Sequence, residues 1–210
     1  MTEAALIVAL DIATTTGVAY GRVGEAPRFM SQSFRADTSD ISGHVDASAK
    51  AQVWAIDFLN TVQPDFLVIE APLEFTPHGG NANTTIRLTS LVSIVGAVAK
   101  NLGYAVRFGK VSTVRSAFLG RGNGNLPGDF AKREVMRFCL GAGWKPSTLD
   151  QADAGALWWW FGNELQPQTS QPMSPLLLKI LPVQRPVKGE NIRRAPQNFR
   201  RPENFDGGAF

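Results

Sequence analysis

Two carboxylates three residues apart, Asp150 and Asp153, lie in the run Thr148-Leu149-Asp150-Gln151-Ala152-Asp153-Ala154-Gly155-Ala156-Leu157. The run reads as the first turns of a helix. At about 100° per residue, positions i and i+3 share a face, so both acids point the same way. The small residues around them let that face pack closely on a neighbour. Like charges on such a face repel unless a cation or a proton lies between them. The pair is therefore either a metal-ligand face or an N-terminal helix charge that complements the helix dipole.

Two further acids come from strand ends. Residues 4–10, Ala-Ala-Leu-Ile-Val-Ala-Leu, form a continuous apolar run that predicts a central strand, and it ends on Asp11. Phe66-Leu67-Val68-Ile69 is a second buried strand, ending on Glu70. If the Asp150 helix packs beside these ends, four carboxylates share one pocket. Four negative charges in a partly dry site need neutralising, and two divalent cations would cancel them. All-oxygen ligation favours Mg²⁺ or Mn²⁺. Two such ions about 4 Å apart suit in-line displacement at phosphorus, which makes a nuclease the expectation.

The elements that must position these acids follow from the pattern. Val18–Val23 and Arg28–Phe34 predict returning strands, so an antiparallel three-stranded meander opens the chain. Residues 45–61 fit an amphipathic helix, with Val45, Ala49, Val53, Ile56 and Leu59 toward the core. Crossing through that helix to 66–69 implies parallel pairing with the first strand. A loop with Pro72, Phe75, Gly79 and Gly80 leads to a helix over 84–100, then a strand at 104–108 and a short helix at 114–119. The loop Gly120–Asn125 precedes a basic helix, about 130–140, with Lys132, Arg133 and Arg137. The Asp150 helix runs on through Trp158-Trp159-Trp160 to about Leu165.

The ordered set resembles the RuvC-like Holliday junction resolvases of the RNase H-like superfamily. The matching pieces are Leu10-Asp11-Ile12-Ala13-Thr14-Thr15-Thr16-Gly17, Val68-Ile69-Glu70, and Asp150-Gln151-Ala152-Asp153-Ala154-Gly155-Ala156, over about residues 4–162. The resemblance implies an RNase H-like α/β fold with a central mixed five-stranded sheet. It implies Asp11, Glu70, Asp150 and Asp153 as ligands of two Mg²⁺ or Mn²⁺ ions. It also implies a homodimer, joined through the 84–100 helix, that nicks four-way DNA junctions in pairs. Lys132 falls where the family has a basic residue near the scissile phosphate, and Arg115 where an earlier lysine is usual. Arg115, Lys132, Arg133 and Arg121 are expected to contact DNA. Phe75 is the expected wedge at the crossover, with a place in the core or the dimer contact as its other reading. Departures are Asp11-Ile12-Ala13 in place of the family's Asp-Pro-Gly, a lengthened loop at 120–128, and a long tail. They suggest a divergent phage or prophage type.

Residues 166–210 carry a net charge of +4 and seven of the 13 prolines, whereas residues 1–165 are near neutral at −1. The division expected is a nuclease domain over 1–165 and a basic extension over 166–210, suited to phosphate contact or to solubility. The single cysteine, Cys139, excludes an internal disulfide and reads as a buried hydrophobe. His44 and His78 are expected in loops, too few for a zinc site. Without a leader or a membrane-spanning run, the expectation is a soluble cytoplasmic protein. Two rival readings stand beside the junction resolvase and its close variant, a general debranching nuclease. An actin-like phosphotransferase would use Asp11–Thr16 as a phosphate loop but lacks room for a second lobe. A catalytically silent DNA-binding module would not need all four acids.

Overall fold

The computed structural model describes residues 3–72, 82–120 and 126–165. Phe75, Arg121, His78 and the extension after 165 lie outside the described residues. The elements are β1 (Leu6–Asp11), β2 (Thr15–Arg22), β3 (Arg28–Ser33), α1 (Ile41–Val62), β4 (Phe66–Glu70), α2 (Ala82–Asn101), β5 (Ala105–Gly109), α3 (Val111–Leu119), α4 (Gly128–Gly141) and α5 (Leu149–Leu165). They form one five-stranded sheet in the order β3-β2-β1-β4-β5. The first three strands pair antiparallel, and β4 and β5 join β1 in parallel. This is the RNase H-like α/β architecture expected from the sequence.

Each face of the sheet has its own apolar core, and the period-two alternation of the strands sorts side chains between them. Val8, Leu10, Val18, Leu67 and Ile69 pack under α1 and α2. Ile7, Ala9, Ala19 and Val68 pack under α3, α4 and α5. α5 crosses the centre of its face, touching β1, β2 and β4 as well as α3 and α4. It can lie there because β2 offers it Gly17, Ala19 and Gly21 on alternate positions. A Cβ on Gly17 would run into the Asp150 carbonyl. Trp158, fully buried, donates from its indole N–H to the Gly21 carbonyl at 3.2 Å. Trp159 and Trp160 are half-buried against the same core.

The structure corrects the reading of α1. Its buried side is Gly43, His44, Ala47, Ala51, Ala55 and Leu59, whereas Val45 and Val53 are about three-fifths exposed, at 60% and 61%. The small alanines face inward because they permit close approach to α2 and the sheet. Phe34, just after β3, fills that core, and the stacked Trp54–Phe58 pair of α1 packs against its edge. His44 is thus helical and buried, not in a loop. α2 is apolar and long enough, by composition, to cross a bilayer. Here its Leu91, Val92, Val95, Val98 and Ala99 enter the core.

Candidate active site

Asp11 ends β1, and Glu70 ends the adjacent parallel strand β4. Alternation decides where they point. Asp11 continues the Ile7–Ala9 face and Glu70 continues the face of Val68, both of which pack toward α5. The strand ends therefore deliver two acids to the face on which α5 lies.

α5 brings the other two. Thr148 lies just before its first turn rather than within it, its hydroxyl accepting the Gln151 amide at 3.1 Å. Gln151 is itself buried and ties that turn down. Its side-chain carbonyl accepts from the Ser147 amide and hydroxyl at 2.7 and 3.0 Å, and its amide nitrogen donates to Ser31 Oγ at 2.9 Å. With the Gly17 contact, these bonds fix the helix start over the sheet. Gln151 and Gly17 are positioning residues, a role the sequence reading gave to neither. Their signals were a polar residue amid small neighbours, and a glycine-alanine-glycine alternation along β2.

Lys132, from α4, stands among the acids. Its Nζ donates to Asp150 Oδ1 at 2.7 Å and lies 3.5 Å from Asp153 Oδ2 and 3.8 Å from Asp11 Oδ2. Arg115, from α3, approaches Asp153 Oδ2 at 3.5 Å. Arg133 is exposed on α4, and among the described residues it forms no ion pair with the acids.

Electrostatics follow from this crowding. Burial pushes the Asp11 carboxyl up to about 7. Lys132 opposes that rise, and Asp153 and Asp150 add to it. Burial, then Asp11 and Asp153, raise Glu70 to about 8. Asp153 is also raised, first by burial, against the pull of Arg115 and Lys132. Burial works to lower the Lys132 ammonium, but Asp11, the Asp150 hydrogen bond and Asp153 outweigh it and hold the proton on. Cys139 is buried, and burial followed by Asp153 raises its thiol, so it is no nucleophile.

Four carboxylates against two cations leave a formal charge of −2. Protons on Asp11 and Glu70 balance it without metal, as would divalent ions that displace those protons. The donor set, all carboxylate oxygen, fits Mg²⁺ or Mn²⁺. Among the described residues, however, no three acidic, imidazole or thiol groups converge into a ready-made metal cage. The Lys132 ammonium instead serves Asp11, Asp150 and Asp153 as a shared counter-ion.

The fold is that of known junction enzymes. Thermus thermophilus RuvC superposes with a TM-score of 0.55 at 18% identity, covering 76% of this chain and 93% of that one. The same protein in complex with a Holliday junction substrate gives 0.54 at 14% identity, covering 76% and 92%. The yeast mitochondrial Holliday junction resolvase gives 0.51 at 12% identity, covering 75% and 77%. No family model matches the sequence, and no curated protein does. The molecule thus has a RuvC-like fold, with its acids gathered at the carboxyl ends of two neighbouring parallel strands.

Proposed function

We propose that this protein is a metal-dependent endonuclease that resolves four-way DNA junctions by paired nicks. The observation that carries this reading is the convergence of Asp11, Asp150 and Asp153 on one lysine, with Glu70 on the adjoining strand end. The RuvC-like fold supports it, and so does the chemistry of an all-carboxylate site flanked by Lys132 and Arg115.

Bound Mg²⁺ or Mn²⁺ would neutralise the acids and supply Lewis-acid chemistry at a phosphodiester. Asp11, Glu70, Asp150 and Asp153 are the residues that would hold it, and each must do so without its proton. Lys132 then exchanges its carboxylate partners for the non-bridging oxygens of the phosphate, where charge grows in the transition state. Arg115 holds Asp153 in place from the other side. Phe75, five residues after Glu70 in sequence, and Arg121, two after the end of α3, are assigned to the branch point and the DNA backbone. The extension after residue 165, with seven Lys and Arg against three acids, adds sequence-independent phosphate contact.

A homodimer fits paired nicking. On α2, Ile86, Thr89, Ser93, Ala97 and Lys100 form one exposed stripe at helical spacing, mostly small residues that let two helices approach closely. A cytoplasmic location, in a bacterial host if a phage encodes the chain, belongs to the same reading.

The test compares a four-way junction, a fork, a flap and a linear duplex, with Mg²⁺ and with EDTA. Paired, metal-dependent nicks confined to the junction are expected. Comparable cutting of forks and flaps would make it a debranching nuclease, and ATP turnover without cleavage would favour the phosphotransferase.

A further inference from the structure

On the side of the sheet opposite α5, a cavity of about 150 Å³ opens between the first turns of α1 and α2. Thr14, Ser39, His44, Asn83, Thr84 and Arg87 line it, and no carboxylate is among the described residues that do. His44 is only 5% exposed, yet among the described residues neither ring nitrogen has a hydrogen-bond partner. Arg87 donates from Nη2 to the Thr38 carbonyl at 2.8 Å, while its buried Nε also has no partner among the described residues. Buried nitrogens left without partners are costly, and a native structure keeps few of them without a reason. The two residues that carry these three nitrogens both line the cavity, at the start of a helix with no acid in its first turn. Thr14, Ser39 and Thr84 add hydroxyls to the lining, and Leu88 gives it an apolar wall. The nearby acid Asp40 is engaged elsewhere, accepting from the Thr38 hydroxyl at 2.6 Å and the Gly43 amide at 3.0 Å.

We infer that this cavity binds a phosphate group, and that its ligand in function is a phosphodiester of bound DNA flanking the one that is cut. A guanidinium, an imidazole and a helix start suit a tetrahedral oxyanion. Its place supports the DNA source. Thr14 follows Asp11 by three residues in the β1–β2 turn, so cavity and acids share one end of the sheet on opposite faces. A strand crossing that end meets both. The DNA assignment rests on the nuclease reading above, whereas phosphate binding itself does not.

Two measurements on the full chain separate these claims. In the first, inorganic phosphate is titrated while the imidazole resonances of His44 are followed by NMR. They are expected to shift in the parent and to stay still in Arg87→Gln. In the second, junction binding is measured in EDTA across a salt series. Arg87→Gln and His44→Gln are expected to bind about tenfold more weakly, and Arg87→Gln to flatten the log–log salt slope by about one. An unmoved His44 resonance in the parent overturns the site. A phosphate response with parental DNA affinity and slope in both variants overturns the DNA assignment. Should the parent neither bind nor cut junctions, the nuclease reading fails by itself, and the phosphate titration alone decides the cavity.

Discussion

The Lys132 ammonium lies 2.7 Å from Asp150 Oδ1 and within 4 Å of acids from both β1 and α5. One cation thereby holds together carboxylates that otherwise repel, in the space divalent ions would enter. It is both a competitor of the metal and, in the proposed reaction, a ligand of the phosphate. Lys132→Gln should therefore separate binding from turnover. Mn²⁺ affinity measured by calorimetry is expected to rise, while junction cleavage at saturating metal falls on the order of 10²–10³-fold. A variant with weaker metal binding and parental cleavage would contradict both roles.

Asp153 is the most deeply buried of the α5 acids and touches both basic groups. Asp153→Asn should lower cleavage on the order of 10³-fold while junction binding in EDTA persists. Single-turnover kinetics beside a gel-shift titration check this, and parental cleavage by the variant would refute the assignment of the acids.

Protonation gives a prediction independent of activity. Asp11 is raised to about 7 and Glu70 to about 8, so without metal both keep protons that the unfolded chain releases near pH 4. The folded state binds more protons across that interval, and unfolding free energy falls as pH rises toward about 8. Calorimetric Tm in EDTA should decline from about pH 5 to about pH 9. An Asp11→Asn, Glu70→Gln variant should show a flatter profile. Saturating Mn²⁺ should stabilise the parent increasingly as pH rises, because metal binds the carboxylate form. A parent profile in EDTA as flat as the variant's would overturn the raised values.

Gly17 supports the site through backbone contact alone. In Gly17→Ala the new methyl meets the Asp150 carbonyl, so the start of α5 must move. A loss of about 1–3 kcal/mol is expected in denaturant unfolding, with a larger proportional loss of cleavage. Gly21→Ala is the control, since its methyl meets the Pro27 Cα no closer than 3.4 Å. Equal effects of the two substitutions would show that crowding at Asp150 is not special.

The proposed dimer is checked on the exposed stripe of α2. Ser93→Arg places a long cation where two helices would meet and should give a monomer by light scattering. The monomer should nick junctions singly rather than in pairs. An unchanged mass would move the interface elsewhere.

The four acids were legible because each lay at a boundary that simple periodicity marks: two ended apolar runs, and two shared a helix face. Their convergence was legible only through topology, since a right-handed crossover through α1 puts β4 beside β1. The register of α1 was misread for a physical reason. Val45 and Val53 are the stronger hydrophobes, but close packing gave the inner face to Ala47, Ala51 and Ala55. Burial of His44 followed from that rotation and was hidden with it. The close approach at Gly17 was hidden, because only the neighbouring α5 demands it.

The late place of α5 in the described chain has a consequence for how the protein is made. Half of the carboxylates arrive on the helix farthest along the described chain, and their partner strand ends come at residues 11 and 70. A nascent polypeptide still holding residues 149–165 inside the ribosome carries an incomplete centre, however well its sheet has formed. On the proposed reading, competence to cut waits until residues 149–165 have emerged and docked on the sheet.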